Sequence, residues 1–396
     1  MPIALLAMTL ATFAICSAEW GIAGLLPALS GDLEVSIPTA GLLISGYALG
    51  VAIGGPILAL LTARVPRKLM LISIMGVFVV AQVLCAISSS YGMLLGARLL
   101  TACGHGLFFG IASIVAADLM PARRGFAISM IFAGVMAANL FGVPAGAAVG
   151  NAFGWPATFW AIGFISALAT AAMMWLLPAS EAEAGTTSLS EEFRALNHQQ
   201  VYLTYLMVVL FVTGGLVLQT YLVPLMTDIA NIPLQQTPWY LVLIGAGAVI
   251  GNFVGGRLAD WKLMPSLIAI FICQAGVQLA IVFTSHSPLL LGLNLFVLGA
   301  VGFSFGAHVT NRILQGARAA PNLASTLNNT AFNIGIAAGA LLGGMALTAG
   351  FSYDQLPYIS AGLAASASVV AIVSMVLDRR ETPAPAAFTR GAVPRR

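Results

Sequence analysis

Charge is what this sequence has least of. Of its 396 residues, 16 are Lys or Arg and 13 are Asp or Glu, together 7%, where a soluble domain carries about 25%. So few charges cannot cover a water-exposed surface of this size. That excludes a soluble enzyme, a disordered chain and a nucleic-acid binder with its basic face. Cysteine is equally scarce. Cys16, Cys85, Cys103 and Cys273 all lie in apolar runs, at spacings that suit neither a zinc site nor a disulfide framework. They read as small buried hydrophobes, and no metal or cofactor is expected. A basic region ahead of the first apolar run is also missing, so that run reads as a span and not as a cleaved signal.

What fills the chain instead is 60% apolar residues and 42 glycines. A helix crosses the hydrocarbon core with roughly 20 apolar residues. Spans are predicted at 4–29, 38–62, 69–88, 92–119, 125–149, 157–178, 201–225, 239–256, 265–284, 288–309, 323–348 and 357–377. Turn residues separate them, among them Gly31-Asp32, Pro66, Pro121, Gly154-Trp155-Pro156, Pro265, Pro288 and Pro357. The expected fold is an all-α polytopic membrane protein of twelve helices, with the lipid bilayer as its main partner.

The few charges are placed with a bias. With the N-terminus in the cytoplasm, cytoplasmic segments hold Arg64, Arg67, Lys68, Arg123, Arg124, Arg194, Arg257, Lys262, Arg312, Arg318, Arg379, Arg380, Arg390, Arg395 and Arg396. The opposite loops hold Asp32, Glu34, Asp228 and Asp354 and no base. The positive-inside rule then puts both termini in the cytoplasm of a bacterial inner membrane.

The chain also repeats itself. Pro27 and Pro224, Gly50 and Gly247, Gly54 and Gly251, Gly142 and Gly339, and Gly146 and Gly343 are each 197 residues apart. Gly106-Leu107-Phe108-Phe109-Gly110 matches Gly302-Phe303-Ser304-Phe305-Gly306 at an offset of 196. Two parallel, pseudo-symmetric six-helix bundles follow, over 1–178 and 201–380, joined by a cytoplasmic loop at 179–200 and followed by a cytoplasmic tail at 381–396. Repeat-built transporters hold their substrate near the midplane between the halves. Glycines spaced by four recur in spans 2 (Gly46, Gly50, Gly54), 5 (Gly142, Gly146, Gly150), 8 (Gly247, Gly251, Gly255) and 11 (Gly335, Gly339, Gly343). Small residues on one face let helices approach closely, and these faces are expected to form a smooth seam on which the halves rock.

Ala18-Glu19-Trp20 through Gly24-Leu25-Leu26-Pro27, Gly104-His105-Gly106 through Gly110, and Ala331-Phe332-Asn333-Ile334-Gly335 carry a family resemblance over nearly the whole chain. It resembles the major facilitator superfamily, and within it the twelve-span drug/proton antiporters of the arabinose-efflux-permease-like branch. That branch includes sugar, chloramphenicol and purine-nucleoside exporters. Gly134, Gly142, Pro144, Gly146 and Gly150 resemble the antiporter motif of span 5. The loop after span 2 departs from the family: Ala59, Ala63 and Pro66 stand where glycine, aspartate and glycine are usual, while Arg64, Arg67 and Lys68 remain. The copy after span 8 keeps Gly256 and Asp260. Asp118 is expected to replace the missing aspartate by pairing with Arg64 or Arg67, making a cytoplasmic gate with Asp260. Proline follows Trp155 where the family has arginine.

Glu19 is the only acid deep in a span. Intramembrane acids are costly and mark proton or ion paths, so Glu19 is the expected proton carrier, a structural hydrogen bond being the alternative. Arg98 and His105 lie seven residues apart in span 4, two turns and about 10 Å along one face. The resemblance implies that Arg98 serves proton movement; alternatively it snorkels to the interface. His105 is a proton-coupling partner or a substrate contact. Thr101 lies between them and is expected to line the substrate cavity. Trp20, Tyr47, Tyr221, Asn139, Gln219, Asn252, Asn294, Asn328, Asn329 and Asn333 suggest a cavity of aromatics and neutral hydrogen-bonders for a drug, sugar or nucleoside. His308 reads as a gate or loop contact. Gly302-Phe303-Ser304-Phe305-Gly306 fits G-x-S-x-G, but the hydrolase elbow needs a strand-to-helix turn and this is a continuous apolar span. The sequence therefore predicts a monomeric, non-enzymatic, proton-coupled exporter, with a pH-independent facilitator or importer as the alternative.

Overall fold

A computed structural model describes residues 3–62, 65–178, 199–317 and 321–381. Arg64, all but the last two residues of the 179–200 connector, and the tail from residue 382 lie outside them. Twelve helices are long and apolar enough to cross a membrane: Ile3–Asp32 (α1), Ile37–Leu58 (α2), Arg67–Ala86 (α3), Tyr91–Leu119 (α4), Pro121–Phe153 (α5), Trp155–Leu176 (α6), Gln199–Gln219 (α7), Leu234–Trp261 (α8), Leu263–Thr284 (α9), Pro288–Gly316 (α10), Leu323–Thr348 (α11) and Tyr353–Asp378 (α12). Among the described residues there is no strand. Local chemistry sets the boundaries. Ser36 and Ser90 cap α2 and α4 by accepting from the N–H groups of Thr39 and Met93. Gly154, at φ 86°, makes the sharp turn from α5 into α6. Helices α8 and α10 run past their expected ends, to Trp261 and Gly316. There Arg257, Asp260 and Arg312 stop the apolar run without stopping the helix.

Four spans are interrupted away from their ends. Helix α1 tightens to a 3₁₀ turn at Ile22–Leu25. Helix α4 breaks at Gly104, and α10 breaks at Phe303–Phe305. Helix α5 widens to a π turn at Ala138–Gly142, just ahead of Pro144, whose ring clashes with the preceding carbonyl and removes a donor.

Each half packs on itself. Helix α1 lies on α5 and α6, α2 on α4, and α3 on α4 and α6; α7 lies on α11 and α12, α8 on α10, and α9 on α10 and α12. Across the halves, α2 meets α11 and α5 meets α8. These contacts run from mid-span to the end opposite the termini. Asn151 donates to Leu234 O (2.9 Å), and Ser45 to Ala337 O (2.9 Å). Tyr221 fills the space beside Gly41 and Gly344.

The glycine ladders do not form the seam between halves. They face neighbours within their own half: Gly50 and Gly54 face α4, Gly142 faces Ser17 of α1, and Gly146 faces Thr158 of α6. Gly247, Gly251 and Gly255 face the α10 backbone at Phe296, Ala300 and Ser304, and Gly335 and Gly339 face α7. Backbone-on-backbone approach inside a bundle requires them. Across the seam, Gly41 lies against Tyr221, Gly106 against Asn329, and Gly245 against the backbone of Asn139 and Leu140. A methyl on Gly251 would overlap the Ala300 carbonyl, whereas one on Gly256 meets nothing within 4 Å. Gly251→Ala is therefore expected to cost about 1–3 kcal/mol and Gly256→Ala to be neutral or slightly stabilising, as thermal unfolding of the purified protein would read. The cysteines also divide: Cys16 and Cys85 are buried, Cys103 is half-buried and Cys273 is exposed, so the last is no core residue.

Candidate functional site

Glu19 ends the regular part of α1 and turns into the first half, beside the break in α4. Its Oε2 lies 3.9 Å from His105 Nε2, with both side chains buried. That is longer than a hydrogen bond and within reach of one small side-chain shift. Tyr47 of α2 completes the group: its hydroxyl is 2.8 Å from His105 Nδ1. With Tyr47 as donor to Nδ1, the Nε2–H faces the Glu19 carboxylate.

Arg98 is fully buried and does not snorkel to an interface. Its Nη1 donates to Ala18 O (2.6 Å), and its guanidinium lies over the Tyr47 ring, 4.3 Å from the centroid. Its Nε and Nη2 have no hydrogen-bond partner among the described residues. Arg98 and His105 are not stacked on one continuous face, because α4 is interrupted between them; Tyr47 stands between the two. Glycine is needed at the break, since a side chain at Gly104 would run into Ile74. Thr101 bonds back to Arg98 O (2.6 Å).

Trp20, the next residue of α1, points the other way, into two adjoining cavities between the halves. One, of about 440 Å³, is lined by Trp20, Gly24, Asn139, Gln219 and Gly245 among others. The second, of about 580 Å³, reaches into the second half between α7, α9, α10 and α11 and shares Trp20, Gln219 and Ile244 with the first. One turn of α1 thus presents a carboxylate to the buried polar cluster and an indole to the cavity.

Of the residues expected in the cavity, Trp20, Asn139 and Gln219 line it; the others line neither space. Tyr47 and Thr101 belong to the polar cluster. Tyr221 is held between α2 and α11 with its hydroxyl on Ala340 O (2.9 Å). Asn252 faces outward. Asn294 bonds Thr284 at the far end (3.2 Å), and Asn333 bonds Asn329 O (2.9 Å). Gly134, Gly142, Pro144, Gly146 and Gly150 shape α5 around α1 and α6 and do not line the cavities. The wall that sequence reasoning missed is made by Phe211, Phe305, Phe332 and Gln274. Gln274, an amide inside an apolar run, was the available signal.

Near the termini, Asp118 pairs with Arg67 (3.0 Å) and Arg124 (3.5 Å), while Asp260 is exposed at the end of α8. Side-chain exposures of 24% for Arg67 and 51% for Asp118 leave this pair well solvated. Asp118→Asn is expected to change stability by less than about 1 kcal/mol. A fall in transport rate without a fall in melting temperature would then assign the pair to gating. His308 is buried, with Nε2 2.8 Å from Ser266 Oγ, which pins α10 to α9. Ser304 bonds Val301 O in the α10 break, so the G-x-S-x-G pattern presents no free nucleophile.

A family model described as Major Facilitator Superfamily matches residues 8–328. The inner membrane transport protein YdhP of Escherichia coli (strain K12) is 34% identical over 371 residues, covering 93% of this chain and 95% of that protein. A chloramphenicol resistance protein of Streptomyces lividans is 32% identical over 373 residues, covering 92% and 93%. In fold, the chain matches the crystal structure of a bacterial homolog of the human lysosomal transporter Spinster, with a TM-score of 0.79 at 17% identity over 96% of this chain and 98% of that one.

Proposed function

Since the chain belongs to the major facilitator superfamily and is a multi-pass inner-membrane transporter, we propose that it exports a small polar or amphiphilic solute in exchange for protons. The observation that carries this reading is the adjacency of Glu19 and Trp20. A carboxylate buried in the membrane is costly and needs a reason. Here it sits one residue from the cavity wall, beside His105, Tyr47 and Arg98. Gain or loss of a proton at Glu19 changes the charge of a cluster that joins α1, α2 and α4. Helix α2 also packs on α11 of the other half, so this charge is coupled to the seam.

Export is supported by the chloramphenicol resistance relative and by the glycine–proline pattern of α5. The base distribution favours cytoplasmic termini. The cross-half bond of Asn151 to Leu234 O at the opposite end supports a cavity that loads from the cytoplasm in this orientation. The solute enters, the halves rock, it leaves outside, and proton entry through Glu19 drives the return. The transporter works as a monomer in this reading, because the cavity and the proton cluster are built within one chain.

Proteoliposomes holding the full chain test it. Labelled chloramphenicol should accumulate on the acid side of an imposed pH gradient and stop accumulating once the gradient is collapsed. Equal flux in both directions at every pH would replace this reading with a facilitator.

A further inference from the structure

The second-half wall of the cavity is chemically unlike the first. Phe211, Phe271, Phe305 and Phe332 form one group there. Phe211 lies 4.4 Å from Phe305 and 4.7 Å from Phe271 between ring centroids, and Phe305 is stacked on Phe332 at 6.0 Å with an interplanar angle of 11°. The break in α10 at Phe303–Phe305 ends the regular helix and lets Phe305 turn inward. None of the fourteen residues lining this space is charged. Its polar groups are the amides of Gln219 and Gln274 and the indole of Trp20. Gln274 is 3% exposed, and its Oε1 has no hydrogen-bond partner among the described residues. An acceptor buried in an apolar wall without a partner costs stability, a cost that a donor reaching it from the adjoining space would relieve.

We propose that this wall is the specificity site, a slot that takes the ring of an uncharged aromatic amphiphile while Gln274 Oε1 accepts from its polar N–H or O–H. This rests on the transport reading and narrows its substrate class. The rings offer a face-and-edge environment that favours another π-system over a saturated ring of equal size. A hexose would bring hydroxyls on every side to a wall with two amides, and each unmatched hydroxyl would be desolvated without return. A cation would find no acid in the lining.

The test is equilibrium binding to the full chain in phosphatidylcholine nanodiscs, with empty nanodiscs subtracted. The probe is dansylamide, a neutral aromatic sulfonamide whose fluorescence rises in apolar surroundings. Saturable binding is expected, displaced by benzamide at least tenfold better than by cyclohexanecarboxamide, and not displaced by glucose or by tetraphenylphosphonium. Phe305→Leu should weaken dansylamide about three- to tenfold, from the lost ring contacts. Gln274→Leu should weaken it about tenfold, from the lost hydrogen bond. Phe332→Leu, at a half-buried position, keeps the ring test available should Phe305→Leu not fold.

No saturable signal, equal displacement by the saturated ring, displacement by glucose or by the cation, or unchanged binding in both ring variants overturns the slot. The measurement uses no gradient. Ring-selective binding without proton-driven flux would therefore count against the exporter reading alone, and proton-driven flux without ring selectivity against the slot alone.

Discussion

Glu19→Gln is expected to abolish concentrative efflux and leave downhill exchange in place. One proton charge moving through ~150 mV supplies roughly 3.5 kcal/mol, which sustains a solute gradient of roughly 300-fold. Glutamine matches glutamate in shape and can still bond His105, but it has a single charge state. In proteoliposomes the steady-state accumulation ratio should drop from that order toward 1, with counterflow of labelled against unlabelled solute retained. The choice of glutamine separates the two roles open to Glu19. If the residue only supplies a hydrogen bond across to α4, glutamine keeps that bond and accumulation survives. Concentrative uptake by the Gln variant would therefore sink the coupling assignment.

The neighbours should respond differently. Tyr47→Phe removes the hydroxyl that lies 2.8 Å from His105 Nδ1 and keeps the ring beneath Arg98. It should slow proton-driven flux more than it lowers binding of solute, because Tyr47 touches the proton cluster and lines neither cavity. Arg98 is buried, with Nε and Nη2 unpartnered, so its charge acts on Glu19 without the two being locked in a bonded pair. A bonded pair would hold the carboxylate ionised and resist the protonation that exchange requires.

The twelve spans were legible because the bilayer imposes length and apolarity on any helix that crosses it. Glu19 and Arg98 were legible for the same reason, since a charge in hydrocarbon stands out against its run. What the sequence could not show is the direction in which each side chain leaves its helix. Lipid is as apolar as a bundle core, so a span carries little periodicity to mark its inner face. Tyr47 and Tyr221 therefore read as cavity aromatics, although one lies among Glu19, Arg98 and His105 and the other is held between α2 and α11. The breaks at Gly104 and Phe303–Phe305 rotate the helical segments beyond them, and that rotation hid Phe305. The glycine ladders were visible, but spacing alone does not tell whether a face meets its own half or the other. Gln274 was as visible in its span as Gln219 in another, and its place on the wall emerges only when α9 is set beside α10.

The second large effect lies at the termini end of the second half and depends on the group that each substitution leaves behind. Arg312 Nη2 lies within hydrogen-bond distance of Gln200 Oε1 (2.8 Å), Ser374 Oγ (2.6 Å) and Asp378 Oδ2 (2.8 Å), and Ser374 Oγ donates to Gln200 Oε1 (2.6 Å), which ties the start of α7 to the ends of α10 and α12. Arg312 has a side-chain exposure of 8% and Asp378 one of 37%. Removing one member of a buried pair is costly mainly because the other stays behind uncompensated. Asp378→Asn leaves a buried guanidinium beside neutral acceptors, with an expected loss of about 3 kcal/mol. Arg312→Met leaves a carboxylate that can hydrate, with an expected loss of about 1 kcal/mol. The double variant removes both charges and should be more stable than Asp378→Asn alone, as a cycle of four melting curves would show. Equal losses in the two single variants would mean that the pair is held by packing and not by charge. A larger loss for Arg312→Met would place the cost on the contacts that Arg312 makes with Gln200 and Ser374.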